Sequence, residues 1–559
     1  MLIFLGGILF MALLRGVHFR NIRGDLFGGI TAAVVALPLA LAFGVSSGAG
    51  PIAGVYGAIF VGFFASLFGG TPAQVSGPTG PMTVVMAAVF TQFCAIDPVQ
   101  GPILAFTVVL MSGFFQVLFG LLKLGKYITL MPFPVISGFM SGIGVIIITL
   151  ELAPLLGHSG ESSVMASLQV LPENILSYQP SALLLGILTL LIVFLCPKSI
   201  GKIIPSPLIA LCVGTLIYVT LLPDGSVPVI GSIPSGLPEF IFPAIQFELL
   251  QDMLLAAIML AALGSIDSLL TSLVADNMVK DQHDSDRELI GQGVGNMMAG
   301  LFGGLPGAGA TMRTVINIRA GGETPISGAV HAVVLLLIVL GAGPLAEDIP
   351  HAVLAGILIK VGIDIIDWNF LRRLHRAPVF VVVLMLLVFG LTVFVDLVTA
   401  VIIGVFIANV ITIKHLADIQ IDSIRVVADQ PDNIDQLSAR EKEILVAAGG
   451  RVLLYHLEGP ISYASVKGMT KKLTNSQPHD ALMFDLTSVP LIDVSTAMAI
   501  ENIMLEALRA NRSVYMIGMN DPVRSVLSQM QILTRLADEF IFDQRIDALE
   551  AAYQRISLS

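Results

Sequence analysis

Residues 68–85 read FGGTPAQVSGPTGPMTVV, and residues 302–317 read FGGLPGAGATMRTVIN. Both open on Phe-Gly-Gly-x-Pro and reach a Thr-Val pair, Thr83-Val84 and Thr314-Val315, through a Gly/Pro/Thr-rich stretch that cannot start as regular helix. They sit in a chain of 559 residues that is 55% hydrophobic and 12% charged, with a mean hydropathy of +0.89. A soluble chain carries about a quarter charged residues, so most of this one belongs in lipid. Two similar broken segments in one apolar chain are the mark of an internal repeat.

Working outward from the breaks, apolar stretches of bilayer-crossing length, about 20 residues, fall at 27–47, 51–70, 101–122, 133–153, 181–197, 204–222, 253–274, 288–303, 326–345, 351–366, 378–395 and 397–414. Basic residues in short loops stay on the cytoplasmic side, and this tests the count. With the N-terminus inside behind Arg15, Arg20 and Arg23, the same side receives Lys123 and Lys126, Lys198 and Lys202, Lys280 and Arg287, Arg319, and Arg372, Arg373 and Arg376. The loops on the other side, near 93–100, 154–180, 223–252 and 343–350, contain no Lys or Arg. The alternation works only if the broken segments 75–92 and 305–318 are crossings too. Fourteen segments then form two sets of seven, each with its break in third place. Seven is odd, so the second set enters the membrane from the opposite face, which makes the repeat inverted.

Residues 1–24 form an N-terminal cytoplasmic or interfacial segment. Its apolar start, MLIFLGGILFMALL, lacks the basic lead and cleavage site of a secretory signal. Residues 25–416 are the membrane part and 417–447 read as a polar linker. In 448–559, strands such as RVLLYHLEG, ALMFDLT and SVYMIGM alternate with helical stretches, the pattern of a small cytoplasmic α/β domain. The net charge of −11 gives no argument for nucleic-acid binding. Cys94, Cys196 and Cys212 lack metal-ligand spacing and read as packing residues. No nucleotide-binding loop, zinc cluster or nucleophile paired with a base is present, so the reading is not an enzyme and no cofactor is implied.

Extended backbone at membrane depth is tolerated only where it is buried or lines a polar cavity. Two breaks meeting at the midplane present helix N-termini, with unpaired N–H groups and a positive dipole end, to an anion. The candidate ligands are Gly77, Pro78 and Thr79 in the first break and Gly309, Ala310 and Thr311 in the second. Gln74 and Phe43 are candidate cavity residues beside them. Asp267, in LGSIDSLLTS, puts a carboxylate inside an uncharged span, which costs about 3 kcal/mol unless compensated. Thr271 lies one turn on, on the same face, so the two suit Na⁺, with a proton as alternative. Arg313 attracts the anion, neutralises Asp267, or does both in different states. Glu151 and His331 read as satisfied structural groups.

The stretches RGDLFGGITAAVVALPLALAFGVSSG, VSGPTGPMTVV and GSIDSLLTSLVAD, with the trailing α/β domain, resemble the SulP family of anion transporters over nearly the whole chain. The resemblance implies core and gate domains, a substrate between segments three and ten, a cytoplasmic STAS domain and, in many members, a homodimer in a bacterial inner membrane. Within the family, IDSLLTSLVAD followed by HDSDRELIGQGVGN is most similar to sodium-dependent bicarbonate members. By that likeness Asp267, Thr271, Gly309, Ala310 and Thr311 would hold Na⁺, and Thr79 with the helix ends would hold bicarbonate. Arg313 departs from it, since those members carry glycine there and sulfate-type members commonly carry arginine. Proton-coupled sulfate transport is therefore the alternative, with an uncoupled channel or exchanger as a third reading. Ser495, in DLTSVPLIDVSTA, falls where STAS-domain regulators carry a phosphorylatable serine; its other reading is a helix N-cap.

Overall fold

The computed structural model describes residues 18–558 apart from 129–131, 162, 198–204, 224, 232–237, 343–346, 396, 429–436, 464–465, 467, 470 and 472–477. The expectations for residues 1–14, Lys198 and Lys202 lie outside the described residues. The chain divides into two compact units, 1–405 and 406–559.

The first seven segments are α1 (Ile22–Ser46), α2 (Pro51–Phe68), α3 (Gly80–Ile96), α4 (Gly101–Leu121), α5 (Phe133–Leu155), α7 (Pro180–Leu195) and α8 (Ser206–Leu221). The second seven are α9 (Leu250–Val279), α10 (Ser285–Leu301), α11 (Thr311–Arg319), α12 (Pro325–Ala342), α13 (His351–Ile365), α14 (Val379–Phe394) and α15 (Leu397–Ser423). Each set has its break before the third helix, as the repeat predicts.

Two differences stand out. The loop expected over 154–180 contains a further helix, α6 (Val164–Leu176), capped by Ser163, whose hydroxyl accepts from the Ala166 amide at 3.2 Å. Its mixed polar and apolar faces give no span signal, and it meets α7 at 114°. Among the described residues only six helices are individually long and apolar enough to cross a bilayer, fewer than the twelve full spans expected. Proline at N1 or N2 opens α3, α7 and α8, which are regular helices of 16 or 17 residues.

Two helical groups follow from the packing. In one, α10 lies along α4 and α2, α12 lies against α1 and α2, and α9 lies against α4. In the other, α13 and α14 pack on α5, and α7 packs on α8 and α13. Small residues set the closest crossings: a Cβ on Gly113 would sit 2.5 Å from the carbonyl oxygen of Gly293, and one on Gly293 would sit 2.5 Å from that of Gly113. Such glycines let α4 and α10 approach backbone to backbone, the usual basis of helix association in lipid. All three cysteines are free, and Cys212 is exposed rather than packed.

In the second unit, strands β3 (Arg425–Val427), β4 (Val452–Glu458), β5 (Ala481–Ser488), β6 (Ser513–Ile517) and β7 (Ile541–Phe542) form one sheet in that order. The β3–β4 pair is antiparallel and the rest are parallel. Helices α17 (Val494–Arg509) and α18 (Asp521–Gln529) cover one face through Ile500, Ile503 and Leu527. Helices α16 (Ala439–Ala447) and α19 (Arg545–Leu558) cover the other through Leu445 and Leu549. Within the expected linker 417–447, the described residues form the end of α15, the edge strand β3 and the capped helix α16, and 429–436 lie outside the described residues.

Candidate anion and cation site

The two breaks meet. Strand β1 (Ser76–Gly77) pairs antiparallel with β2 (Ala308–Gly309), Ser76 opposite Gly309 and Gly77 opposite Ala308. Two residues on one side and one on the other lead from this short ladder into α3 and α11, so both helix N-termini face the same point. The crossing demands glycine. Gly77 has φ +154°, and a Cβ on Gly307 would lie 2.5 Å from the Gly77 carbonyl carbon.

Side chains from three helices hold this ladder in place. The Val75 amide donates to Thr314 Oγ1 at 3.0 Å, and Asn317 Nδ2 donates to the Ala73 carbonyl at 2.9 Å. Behind the first break lies Glu288 of α10, which is 1% exposed. Its carboxylate accepts from the amides of Gly70 and Thr71, both at 2.9 Å, and from Gln74 Nε2 and Gln292 Nε2, both at 2.7 Å. Four donors satisfy this buried carboxyl group, and among the described residues no cation pairs with it. Gln74, expected to line the cavity, is thereby buried at 2% exposure, and its carbonyl oxygen accepts from Ser272 Oγ at 3.0 Å. It supports the break from behind.

On α9, Thr271 Oγ1 donates to the Gly309 carbonyl at 2.9 Å and lies 2.7 Å from Thr311 Oγ1. The Gly309 amide donates to Ser268 Oγ at 3.0 Å. The structure therefore brings Thr271, Gly309 and Thr311 together, while Ala310 serves as the N-cap residue of α11 and its amide donates to the Val75 carbonyl at 2.9 Å. Asp267, one turn before Thr271 on α9, faces the Thr79 hydroxyl, yet neither Asp267 Oδ2 nor Thr79 Oγ1 has a hydrogen-bond partner. Thr79 is the N-cap residue of α3, its hydroxyl unused by the helix.

Arg313 is 2% exposed. Nη2 donates to the Pro78 carbonyl at 2.7 Å, and Nη1, without a partner, lies 2.5 Å from where a Cβ of Gly77 would be. Among the described residues it forms no ion pair with Asp267. Phe43 lies beside Gly80 and Thr83, where it walls the space next to the α3 N-terminus.

Sequence reasoning took His331 for a satisfied group. The structure corrects this, because His331 is fully buried and neither ring nitrogen has a partner. The anchors it missed, Glu288, Ser268 and Asn317, gave no signal because their partners lie up to 244 residues away. Ser495 is exposed in the first turn of α17, and the N-cap is Asp493, which accepts from the Thr496 amide at 2.8 Å.

A helical membrane bundle of two sets of seven segments whose two breaks cross has the architecture of a carrier. Residues 22–388 match the sulfate permease family and residues 443–547 the STAS domain, and the chain belongs to that family. It is 49% identical, over 97% of its length and 96% of the relative's, to a bicarbonate transporter, BicA, of Synechocystis. It resembles the solved transmembrane domain of a cyanobacterial bicarbonate transporter BicA, with 52% identity and a TM-score of 0.66 over 69% of this chain and 99% of that one. The murine anion transporter Slc26a9, in an inward-facing state, shares the fold at 18% identity, with a TM-score of 0.83 over 97% and 94% of the two chains.

Proposed function

We propose that this chain imports bicarbonate across a bacterial inner membrane by Na⁺-coupled alternating access. The observation that carries the reading is the crossing of β1 and β2. It gathers two helix N-termini, the unpartnered guanidinium nitrogen of Arg313 and the free Thr79 hydroxyl around one point, all of them donors suited to an oxyanion. Gly77, Pro78 and Thr79 with Ala310, Thr311 and Arg313 form the anion side. Asp267, with the oxygens of Thr271, Gly309, Ala310 and Thr311, forms the Na⁺ side. A hard cation on the orphan oxygen of Asp267 would balance a carboxylate that Arg313 leaves unpaired, so cation and anion each favour the other's binding.

The helical group of α1–α4 and α9–α12 carries the site and moves against α5, α7, α8, α13 and α14. The basic loops and the STAS domain face the cytoplasm, and the STAS domain assists a homodimer. Arg313 favours a second reading, proton-coupled sulfate uptake, because a full guanidinium charge suits a divalent oxyanion. Radiolabelled uptake into proteoliposomes, with bicarbonate or sulfate under a Na⁺ or a proton gradient, separates them. Na⁺-driven bicarbonate accumulation lost in Asp267→Asn supports the first reading; proton-driven sulfate uptake replaces it.

A further inference from the structure

At the end of the bundle whose loops lack lysine and arginine, α1, α3, α5 and α13 enclose a cavity of about 270 Å³. Its wall includes Ser46, Thr91, Glu151, Glu161 and His351. Glu151 is 5% exposed and has the Ser46 hydroxyl beside it. Among the described residues Glu151 takes part in no ion pair. It lies in the last turns of α5, and α1 also ends at the cavity, in Ser46. Two negative helix ends and a buried carboxylate thus converge on one space, an arrangement that favours a cation.

The surroundings have the same sign. Residues 47–50, 97–100, 156–180, 222–252 and 343–350 hold nine acidic residues and no Lys or Arg. Such a face concentrates cations and repels anions before either enters. Inward from the cavity, Phe43, Ile147, Leu150 and Leu358 close on a space of about 10 Å³ that also touches Gly80 and Thr83, room for at most about one water. Ala87 borders both spaces, and from it the α3 backbone descends seven residues, about 10 Å, to Gly80.

We propose that this cavity is an antechamber for a hard monovalent cation, with Glu151 as its charged ligand, filled before the apolar constriction opens toward Asp267. The proposal rests on Na⁺ coupling and makes cation entry precede anion entry.

The test uses the full chain in proteoliposomes and compares wild type with Glu151→Gln and Asp267→Asn. In Glu151→Gln the KM for Na⁺ rises about five-fold or more, with the anion KM and the maximal rate near wild type. An unchanged Na⁺ KM, or a fall in maximal rate alone, overturns the proposal. A second readout is the Na⁺-dependent rise in Tm of the purified protein, with N-methylglucamine as the control cation. If wild-type uptake ignores Na⁺, the coupling reading fails by itself. The antechamber then stands if Glu151→Gln shrinks the Na⁺-induced Tm rise, and falls if the rise is equal in both. Should Glu151→Gln not fold, Thr91→Lys puts a fixed cation in the cavity: a raised Na⁺ KM sustains the proposal and an unchanged one overturns it.

Discussion

Arg313 of the second repeat donates from Nη2 to the Pro78 carbonyl of the first, 2.7 Å away across 235 residues of chain. The bond leaves Nη1 free over Gly77, so the charge is held by one repeat and displayed over the break of the other. Arg313→Gly removes that charge. In the Coulomb limit a divalent anion loses twice the electrostatic free energy of a monovalent one. If the bicarbonate KM rises about ten-fold, the inhibition constant for competing sulfate should rise about a hundred-fold. Equal changes for both anions would mean that Arg313 acts only by holding Pro78.

Thr79 offers a cleaner separation of binding from stability. Its hydroxyl makes no hydrogen bond within the protein, so Thr79→Ala should leave Tm unchanged within about 2 °C. The anion KM should rise about ten- to a hundred-fold, the loss of one hydrogen bond to a charged group, and Thr79→Ser should restore it. Uptake kinetics and a thermal melt on the same preparation check both halves.

Backbone contact at the crossing predicts a different response. Alanine at Gly307 would meet the backbone of Gly77, which cannot give way, whereas alanine at Gly390 on α14 would meet nothing within 4 Å. Gly307→Ala should cut uptake by more than about ten-fold, since a displacement near 1 Å suffices for such losses. Gly390→Ala should transport normally, and uptake by equal amounts of inserted protein measures both.

The second unit carries its own acid sensitivity. Asp485 accepts from His456 Nδ1 at 2.7 Å, from Thr487 Oγ1 at 2.6 Å and from Arg545 Nη1 at 2.8 Å, and Arg545 Nε reaches Glu441 at 2.8 Å. Burial alone would raise both carboxyl groups, but the bonds from His456, Thr487 and Arg545 with the His456 charge hold Asp485 well below the ordinary range, and the bond and charge of Arg545 with the Ser438 bonds hold Glu441 below it. Their contribution is complete above the unfolded values, near pH 4, and is lost as pH falls through the lower folded values. Arg545→Met removes the guanidinium that both carboxylates share, leaving Asp485 to His456 and Thr487 and Glu441 to the Ser438 amide, and should destabilise this unit by about 3 kcal/mol, with acid loosening that starts at higher pH. Hydrogen exchange of β5 in the full chain, followed from pH 7 to 3, reads both effects.

The membrane fold was legible because lipid forces every span to be apolar and every charged loop to declare its side. The breaks were legible because Gly, Pro and Thr interrupt that apolar background at matched places. Their pairing in register, Ser76 to Gly309, was not, since a two-residue ladder has no periodicity to detect. Asp267 was visible as a charge in a span, but whether it paired with Arg313 depended on side-chain reach. Gln74 was misread for the same reason, its partner Glu288 being 214 residues away. Helix α6 escaped because an amphipathic helix lying between spans looks like a polar loop.

The ladder between Ser76 and Gly309 also bears on how the protein is made. A ribosome adding about 5–20 residues per second needs on the order of 10–50 s to pass from one strand to the other. Through that interval the nascent first repeat waits with its polar backbone unmatched, since Gly309, Thr314 and Glu288 have yet to emerge. Docking of the two halves at the ladder is therefore a late event whatever the order in which the helices insert, and a ribosome stalled before residue 309 leaves the first break without its partner strand.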